Sequence, residues 1–370
     1  MAGIDTSEAS KIRILHIVGS MHRGGVETFI MNVYRNINRE LIQFDFLLYS
    51  AERENTYIDE IESLGGIIYV IPSKTNDFLG GMYKIFKIVK RKKYNIVCRH
   101  VNNSFKAIDL FMAKLGGCKH TILHAHSTKA KGIEYILGKY FRWIWLLGVT
   151  DCFSCGQAAG EWVFGKRAFY IINNGIDTNK FQFNPLIREE YRNRYKLKEK
   201  MVIGHVGRFV EVKNQKFLIK IALELKKRNK DFMLVLVGDG KQKEFVYNEV
   251  IEKGLLDNVL FLGVREDVSE LYQMFDVMVM PSLYEGFPVT LVEAQAAGLP
   301  CVVSDTISHE VKITDLLEFI DLKLDLSEWV NCIERKVNSK RINTKEIMDR
   351  SGYSIEGIAK DLEKRFVSMQ

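Results

Sequence analysis

Short apolar runs alternate with longer amphipathic stretches from one end of the chain to the other, the order expected of repeated β-α-β units. Ile12 to Val18 reads as a buried parallel strand closed by Gly19, and Val26 to Asn36 as the helix after it. Further strands are expected at Phe44 to Tyr49, Ile67 to Ile71, Asn95 to Cys98, Thr121 to Ala125, Val149 to Cys155 and Phe169 to Ile172. Asn173-Asn174-Gly175 is a turn signal that closes this set. A charged helical linker, Arg188 to Lys200, follows, and the pattern restarts. Met201 to Val206 is a strand, Lys213 to Arg228 a helix, and Phe232 to Val237 a strand ending in Gly238-Asp239-Gly240. Asn258 to Leu262, Val277 to Met280, Pro300 to Val303 and Leu317 to Ile320 complete a second series. The amphipathic stretch Ile355 to Val367 is expected to be a helix that crosses back to the first domain.

Two such series predict an α/β chain of two Rossmann-like, doubly wound parallel-sheet domains facing a cleft. A length of 370 residues is too great for one typical domain, and an apolar fraction of 47% suffices for two cores. The boundaries expected are 1–182, 183–350 and a closing helix at 351–370. In such sheets ligands bind outside the carboxyl ends of the strands, so chemistry is sought on strand-ending loops.

Composition narrows the class. Five prolines and no Ser/Pro-rich tract argue against disorder. No apolar run approaches membrane-span length; Phe141 to Val149 comes nearest and contains Arg142. Residues 1–10 are polar with no apolar signal core, so a cytoplasmic protein is expected. Cys152 and Cys155 form a lone C-x-x-C, read as a strand end rather than a zinc or redox site. The net charge of +7 is uneven: residues 1–185 hold 24 Lys/Arg against 16 Asp/Glu, whereas the rest is close to balance. That half calls for an acidic partner, an anionic membrane surface or acceptor; no nucleic-acid-binding signature is present, and nucleic acid is not expected.

Residues 285–293, Glu-Gly-Phe-Pro-Val-Thr-Leu-Val-Glu, are the most informative stretch. Glu285 sits in a loop after an apolar strand, and Glu293 is placed about two turns into a helix over Val289 to Ala297. The open N–H groups of Phe287 to Leu291 at that helix start form an anion site flanked by two acids, suited to a ligand with both phosphate and hydroxyl groups. Gly207-Arg208-Phe-Val-Glu-Val-Lys213-Asn puts two cations five residues apart at another strand-to-helix turn, where Arg208 can fork onto a phosphate and Lys213 adds a point charge. Gly24-Gly25, at the helix start after the first strand, lets backbone approach a diphosphate. There is no G-x-G-x-x-G, so a dinucleotide cofactor is not supported. His124-Ala-His126 ends a strand, with both histidines on one face and no third metal ligand nearby in sequence.

The two spacings, G-R-x-x-x-x-K-N and E-x7-E, resemble those of the family 4 retaining glycosyltransferases of GT-B fold, in particular enzymes of bacterial capsular and exopolysaccharide gene clusters. The resemblance covers most of the chain. It implies transfer of a hexose or N-acetylhexosamine from a nucleoside-diphosphate sugar, expected to be a UDP-sugar, to a glycan or lipid-linked acceptor. It implies donor-phosphate binding by Arg208 and Lys213 and sugar contact from His126, with His124 as competitor. Main-chain contacts to the nucleobase fall at Val264 and Arg265, and ribose contacts at Glu293. The Gly286-Phe287-Pro288 backbone would hold the donor sugar near Glu285. No D-x-D triplet exists, so no metal or other cofactor is expected and the cations neutralise the phosphate. His126 is followed by Ser-Thr where many relatives carry Asn or Gly, and the segment after Cys301 is short. Two rivals stand beside this reading: a GT-B-fold nucleotide-sugar epimerase, which needs no acceptor, and a non-catalytic partner subunit, against which the intact set of charged residues speaks.

Met82, Ile85, Phe86 and Val89 have helical spacing among Lys84, Lys87, Lys90, Arg91, Lys92 and Lys93. Such a helix lies on an anionic bilayer or packs its stripe on the sheet. Lys139 to Leu147, with Trp143 and Trp145, is read as a buried helix, with a second membrane contact as the alternative.

Overall fold

The computed structural model describes residues 11–50, 52–54, 56–72, 77–126, 136 and 138–370. Residues 1–10, and Ser127-Thr128 after His126, lie outside the described residues. The chain forms two compact units, residues 1–175 with 355–370, and residues 176–354.

The first unit holds seven parallel strands: β1 (Ile12–Ile17), β2 (Ile42–Leu48), β3 (Ile68–Val70), β4 (Ile96–Val101), β5 (His120–Ala125), β6 (Asp151–Ser154) and β7 (Tyr170–Ile171), in the order β3-β2-β1-β4-β5-β6-β7. The second holds six: β8 (Met201–Val206), β9 (Phe232–Val237), β10 (Val259–Gly263), β11 (Val277–Met280), β12 (Cys301–Ser304) and β13 (Leu317–Ile320), ordered β10-β9-β8-β11-β12-β13. Helices between the strands bury both faces of each sheet, so β2 and β4 have no exposed residue. In each sheet the chain starts in the middle, winds to one edge, and returns to the other side. The winding reverses between β1 and β4 and between β8 and β11, and such a reversal opens a crevice at the strand ends.

The charged positions inside these strands are matched. Arg13 Nε donates to Asp45 (2.7 Å), which also accepts from Tyr94 Oη (2.6 Å) and the Ile67 amide (2.8 Å). All six cysteines, Cys152 and Cys155 included, are buried and free.

The units divide after Gly175, because Ile176 and Phe181 pack into the core of the second unit and Tyr353 joins them there. The helix Ile355–Ser368 belongs to the first unit. Its Ile355, Ile358, Leu362 and Phe366 pack with Phe29, Val33 and Phe44.

Candidate active site

The second unit's reversal point carries Arg208, Lys213, Glu285 and Glu293. β8 ends at Val206, and the Gly207 amide donates to Val237 O (3.0 Å). Two glycines let the loop after β9 press against this turn. Gly238 has φ +128, and a Cβ there would lie 2.2 Å from Gly207 O; one at Gly240 would lie 2.5 Å from Phe209 O. Gln215 donates to Arg208 O (2.9 Å), fixing the Arg208 backbone while its side chain stays exposed.

Two hydrogen bonds join this loop to the one after β11. Asn214, in the left-handed region (φ 53), donates to Pro281 O (3.0 Å), and the Leu283 amide donates to Val212 O (2.8 Å). They bring Lys213 Nζ to 3.0 Å from Glu285 Oε1, with side chains 15% and 19% exposed. The contact is Coulombic rather than an aligned hydrogen bond, since Oε1 makes none among the described residues.

Glu293 is the fifth residue of the helix Val289–Ala296, a little over one turn in, nearer the helix start than the two turns expected. Tyr272, wholly buried, lies with its hydroxyl 3.0 Å from Glu293 Oε2 and 3.1 Å from Thr290 O, and can donate to either. Burial lifts the Glu293 carboxyl to about 7, against the pull of the Tyr272 hydrogen bond and the Lys180 charge. Near neutral pH the group therefore exists in both forms.

The helix start is less open than the spacing implied. The Leu291 amide donates to Pro288 O (3.0 Å), and its side chain is fully buried, so Leu291 presents neither to a ligand. Phe287 is partly buried, its ring stacked on Tyr353 at 5.8 Å, which fixes the Gly286-Phe287-Pro288 turn. A residue the sequence did not single out is Thr290, whose buried Oγ1 has no hydrogen-bond partner among the described residues. Only its place three residues before Glu293 could have drawn attention to it. After β10, Val264 is 71% exposed, whereas the Arg265 guanidinium is held by Asp267 (2.7 and 2.8 Å).

In the first unit, Gly24 and Gly25 start the helix Gly25–Asn36 and are exposed. The Glu27 carboxylate folds over Gly24, 2.5 Å from where a Cβ would sit. At the other side of the β1/β4 reversal the fold assembles four histidines. His16 Nδ1 lies 3.0 Å from His100 Nε2, and His100 Nδ1 lies 2.9 Å from His126 Nε2. The His124 ring sits 4.1 Å from that of His126. His100 on β4 is thus the third ligand-type residue that local spacing could not reveal, and nitrogens of His100, His124 and His126 fall within 4.8 Å of one another. The two short separations are hydrogen-bond distances, the buried Cys98 Sγ lies 3.6 Å from His100 Nε2, and no carboxylate joins the group, so it reads as a hydrogen-bonded chain of imidazoles with a neighbouring thiol. Burial pushes His16 and His126 down to about 3 and His100 and His124 well below the usual range, so all four are neutral at physiological pH.

The basic helix is resolved into two faces. In Phe78–Lys92, Met82, Ile85 and Val89 are buried in the sheet-facing core, so this stripe is core packing. Lys84, Lys87, Lys90 and Arg91 stay exposed beside Leu79 (78%) and Tyr83. Residues 142–145 form only a short helix with none of them fully buried, and Trp143 is 69% exposed, contrary to a buried helix there. A groove of about 440 Å³ runs past Tyr140, Trp143 and Leu147, with Lys139 and Lys166 on its lining. Among the described residues no helix is long and apolar enough to cross a membrane.

The family described as "Glycosyl transferases group 1" matches residues 187–316, within the second unit. The putative glycosyltransferase EpsF of Bacillus subtilis is 37% identical over 94% of either chain. The Escherichia coli UDP-Gal:alpha-D-GlcNAc-diphosphoundecaprenol alpha-1,3-galactosyltransferase is 24% identical over 91% of either chain. Among solved structures, Anabaena Alr3699/HepE in complex with UDP superposes with a TM-score of 0.78 over 96% of this chain and 100% of that one, at 17% identity. A full-length relative at this identity, together with two parallel α/β sheets of matching fold, makes the chain a member of the group 1 glycosyltransferases with the GT-B fold.

Proposed function

We propose that this glycosyltransferase is retaining and metal-independent, and that it moves a hexose or N-acetylhexosamine from a UDP-sugar to a glycan or lipid-linked acceptor in bacterial surface polysaccharide synthesis. The observation that carries the reading is the Lys213–Glu285 contact of 3.0 Å beside the exposed Arg208, both at one strand-end reversal. As the bond from the anomeric carbon to the diphosphate oxygen breaks, negative charge grows on the leaving phosphate. Arg208 and Lys213 stabilise it in place of a metal. Lys213, shared between Glu285 and the phosphate, is drawn toward the phosphate as that charge grows, so its contribution is largest in the transition state. Glu285 is then left beside the positive charge that develops at the anomeric carbon.

In a front-side substitution the acceptor oxygen bonds to that carbon from the side the phosphate leaves, and its proton passes to a phosphate oxygen. Configuration is thereby kept. Glu293 accepts from the ribose hydroxyls, the Val264-Arg265 main chain meets the base, and His126 meets the donor sugar. UDP is supported by the HepE complex, and a lipid-linked acceptor by the name of the Escherichia coli relative. The exposed lysines of Phe78–Lys92, with Trp143 and Tyr140, suit a peripheral site on an anionic inner membrane surface.

The test is a screen of nucleotide-sugars for thermal stabilisation and slow hydrolysis. UDP-hexoses should raise the melting temperature and release UDP. A chain that none of them stabilises does not work this way.

A further inference from the structure

The mechanism above uses His126 but leaves His16 and His100 without a role. Both are buried, and the hydrogen bonds from His16 to His100 to His126 run from the core of the first unit to its half-exposed edge. A neutral imidazole has one N–H and one bare nitrogen, so the two bonds must run in the same direction. In one direction every ring carries its proton on Nε2: His126 donates to His100 Nδ1, and His100 donates to His16 Nδ1. In the other, every ring carries it on Nδ1.

Two considerations select the first. The Nε2–H tautomer is the intrinsically preferred form of neutral histidine, and here it is chosen at all three rings together. The far end, His16 Nε2, has no hydrogen-bond partner among the described residues, and its ring lies 4.2 Å from that of Phe44 in an apolar pocket. An N–H at such an end can rest on an aromatic face, whereas a bare lone pair finds nothing there.

We infer that His100, braced by His16, is a positioning residue that locks His126 as the Nε2–H tautomer with a bare Nδ1, so that His126 acts as a hydrogen-bond acceptor for a hydroxyl of the donor sugar. His126 Nδ1 is itself buried without a partner among the described residues. A buried acceptor left unpaired is destabilising, and a sugar hydroxyl donating to it removes that cost. The specificity consequence is a sugar that brings a donor: an analogue with that hydroxyl replaced by hydrogen or fluorine is rejected. The inference rests on the assignment of His126 to the donor sugar, and its test keeps the two apart.

The full chain labelled with ¹⁵N-histidine is examined by long-range ¹H–¹⁵N correlation at neutral pH, with His126→Phe identifying the signals. The expected pattern is Nε2–H at His126 in the wild type, and a mixed or reversed tautomer in His100→Phe. His100→Gln, which can both donate and accept, should restore part of the turnover that His100→Phe loses, about tenfold or more. An Nδ1–H tautomer in the wild type, or a His126 tautomer unmoved in His100→Phe, overturns the inference. So does stoichiometric zinc retained by the wild type and lost in His100→Phe, because a metal would occupy the lone pairs that the chain needs. If His126→Phe turns over donor like the wild type, it is the assignment of His126 to the sugar that fails.

Discussion

Lys213 Nζ lies 3.0 Å from Glu285 Oε1, so the cation assigned to the phosphate and the carboxylate assigned to the sugar neutralise each other before any ligand arrives. The pair is largely enclosed, where removing one partner strands the other as an uncompensated charge. The two residues therefore cannot be treated as independent, and their variants should behave asymmetrically.

Arg208→Ala and Lys213→Ala should each remove a charge-assisted contact to phosphate. The expected loss is about 1.5–3 kcal/mol, or roughly 10- to 150-fold in donor turnover. Lys213→Ala also leaves Glu285 unpaired, so Lys213→Ala/Glu285→Gln should fold better than Lys213→Ala alone. Steady-state kinetics and melting temperatures read both effects, and wild-type donor turnover in both single variants would remove these cations from the site.

Glu285→Gln should lower kcat yet keep or raise UDP affinity, because Lys213 is released to the phosphate while support at the anomeric carbon is lost. Glu293→Gln should mainly weaken UDP binding, since a ribose contact is alike in ground and transition states. Calorimetric titration with UDP separates the two. Equal loss of UDP affinity in both variants contradicts this division of labour.

The Glu293 carboxyl, lifted to about 7 by burial, gives a signed pH effect. The folded chain holds a proton that the unfolded chain has released above the ordinary carboxylate range. Stability from this group is therefore present at low pH and lost as pH rises toward and through 7. Urea midpoints of the wild type should fall more between pH 5 and 8 than those of Glu293→Gln. Parallel pH curves for the two would show that Glu293 does not titrate there.

Activity should survive EDTA if, as proposed, Arg208 and Lys213 neutralise the phosphate. Complete loss with chelator, restored by Mn²⁺ or Mg²⁺, would replace this mechanism with a metal-assisted one.

The first unit's exposed cations predict co-sedimentation with anionic but not neutral vesicles. Binding should fade with salt as the charges are screened beyond about 8 Å at physiological ionic strength. Replacing Lys84, Lys87, Lys90 and Lys93 with Gln should release the chain, at about 1 kcal/mol per residue near the surface. The fold should persist, because Met82, Ile85 and Val89 keep their core contacts. Salt-insensitive or absent binding would point to an acceptor reached without a membrane.

What the sequence determined by itself was whatever rests on local pattern. Strands at Met201–Val206, Phe232–Val237, Val277–Met280 and Leu317–Ile320 fall where their apolar runs fall, because a parallel strand buried on both faces must be apolar along its length. The two-domain α/β class follows from the same alternation. The loops bearing Arg208, Lys213, Glu285 and His126 were legible too, since chemistry in such sheets collects at strand ends. Tertiary structure decided which of these residues touch. Lys213 meets Glu285 because β8 and β11 are neighbours, and His16 and His100 reach His126 because β1, β4 and β5 lie side by side. Tyr272 under Glu293 and the spent amide of Leu291 belong to the same class. Strand order and register set these pairings, and no local window of sequence contains them. The same holds for the stripe of Phe78–Lys92: helical spacing made it amphipathic, and only packing against the sheet determined that its apolar face is core and its lysines are surface.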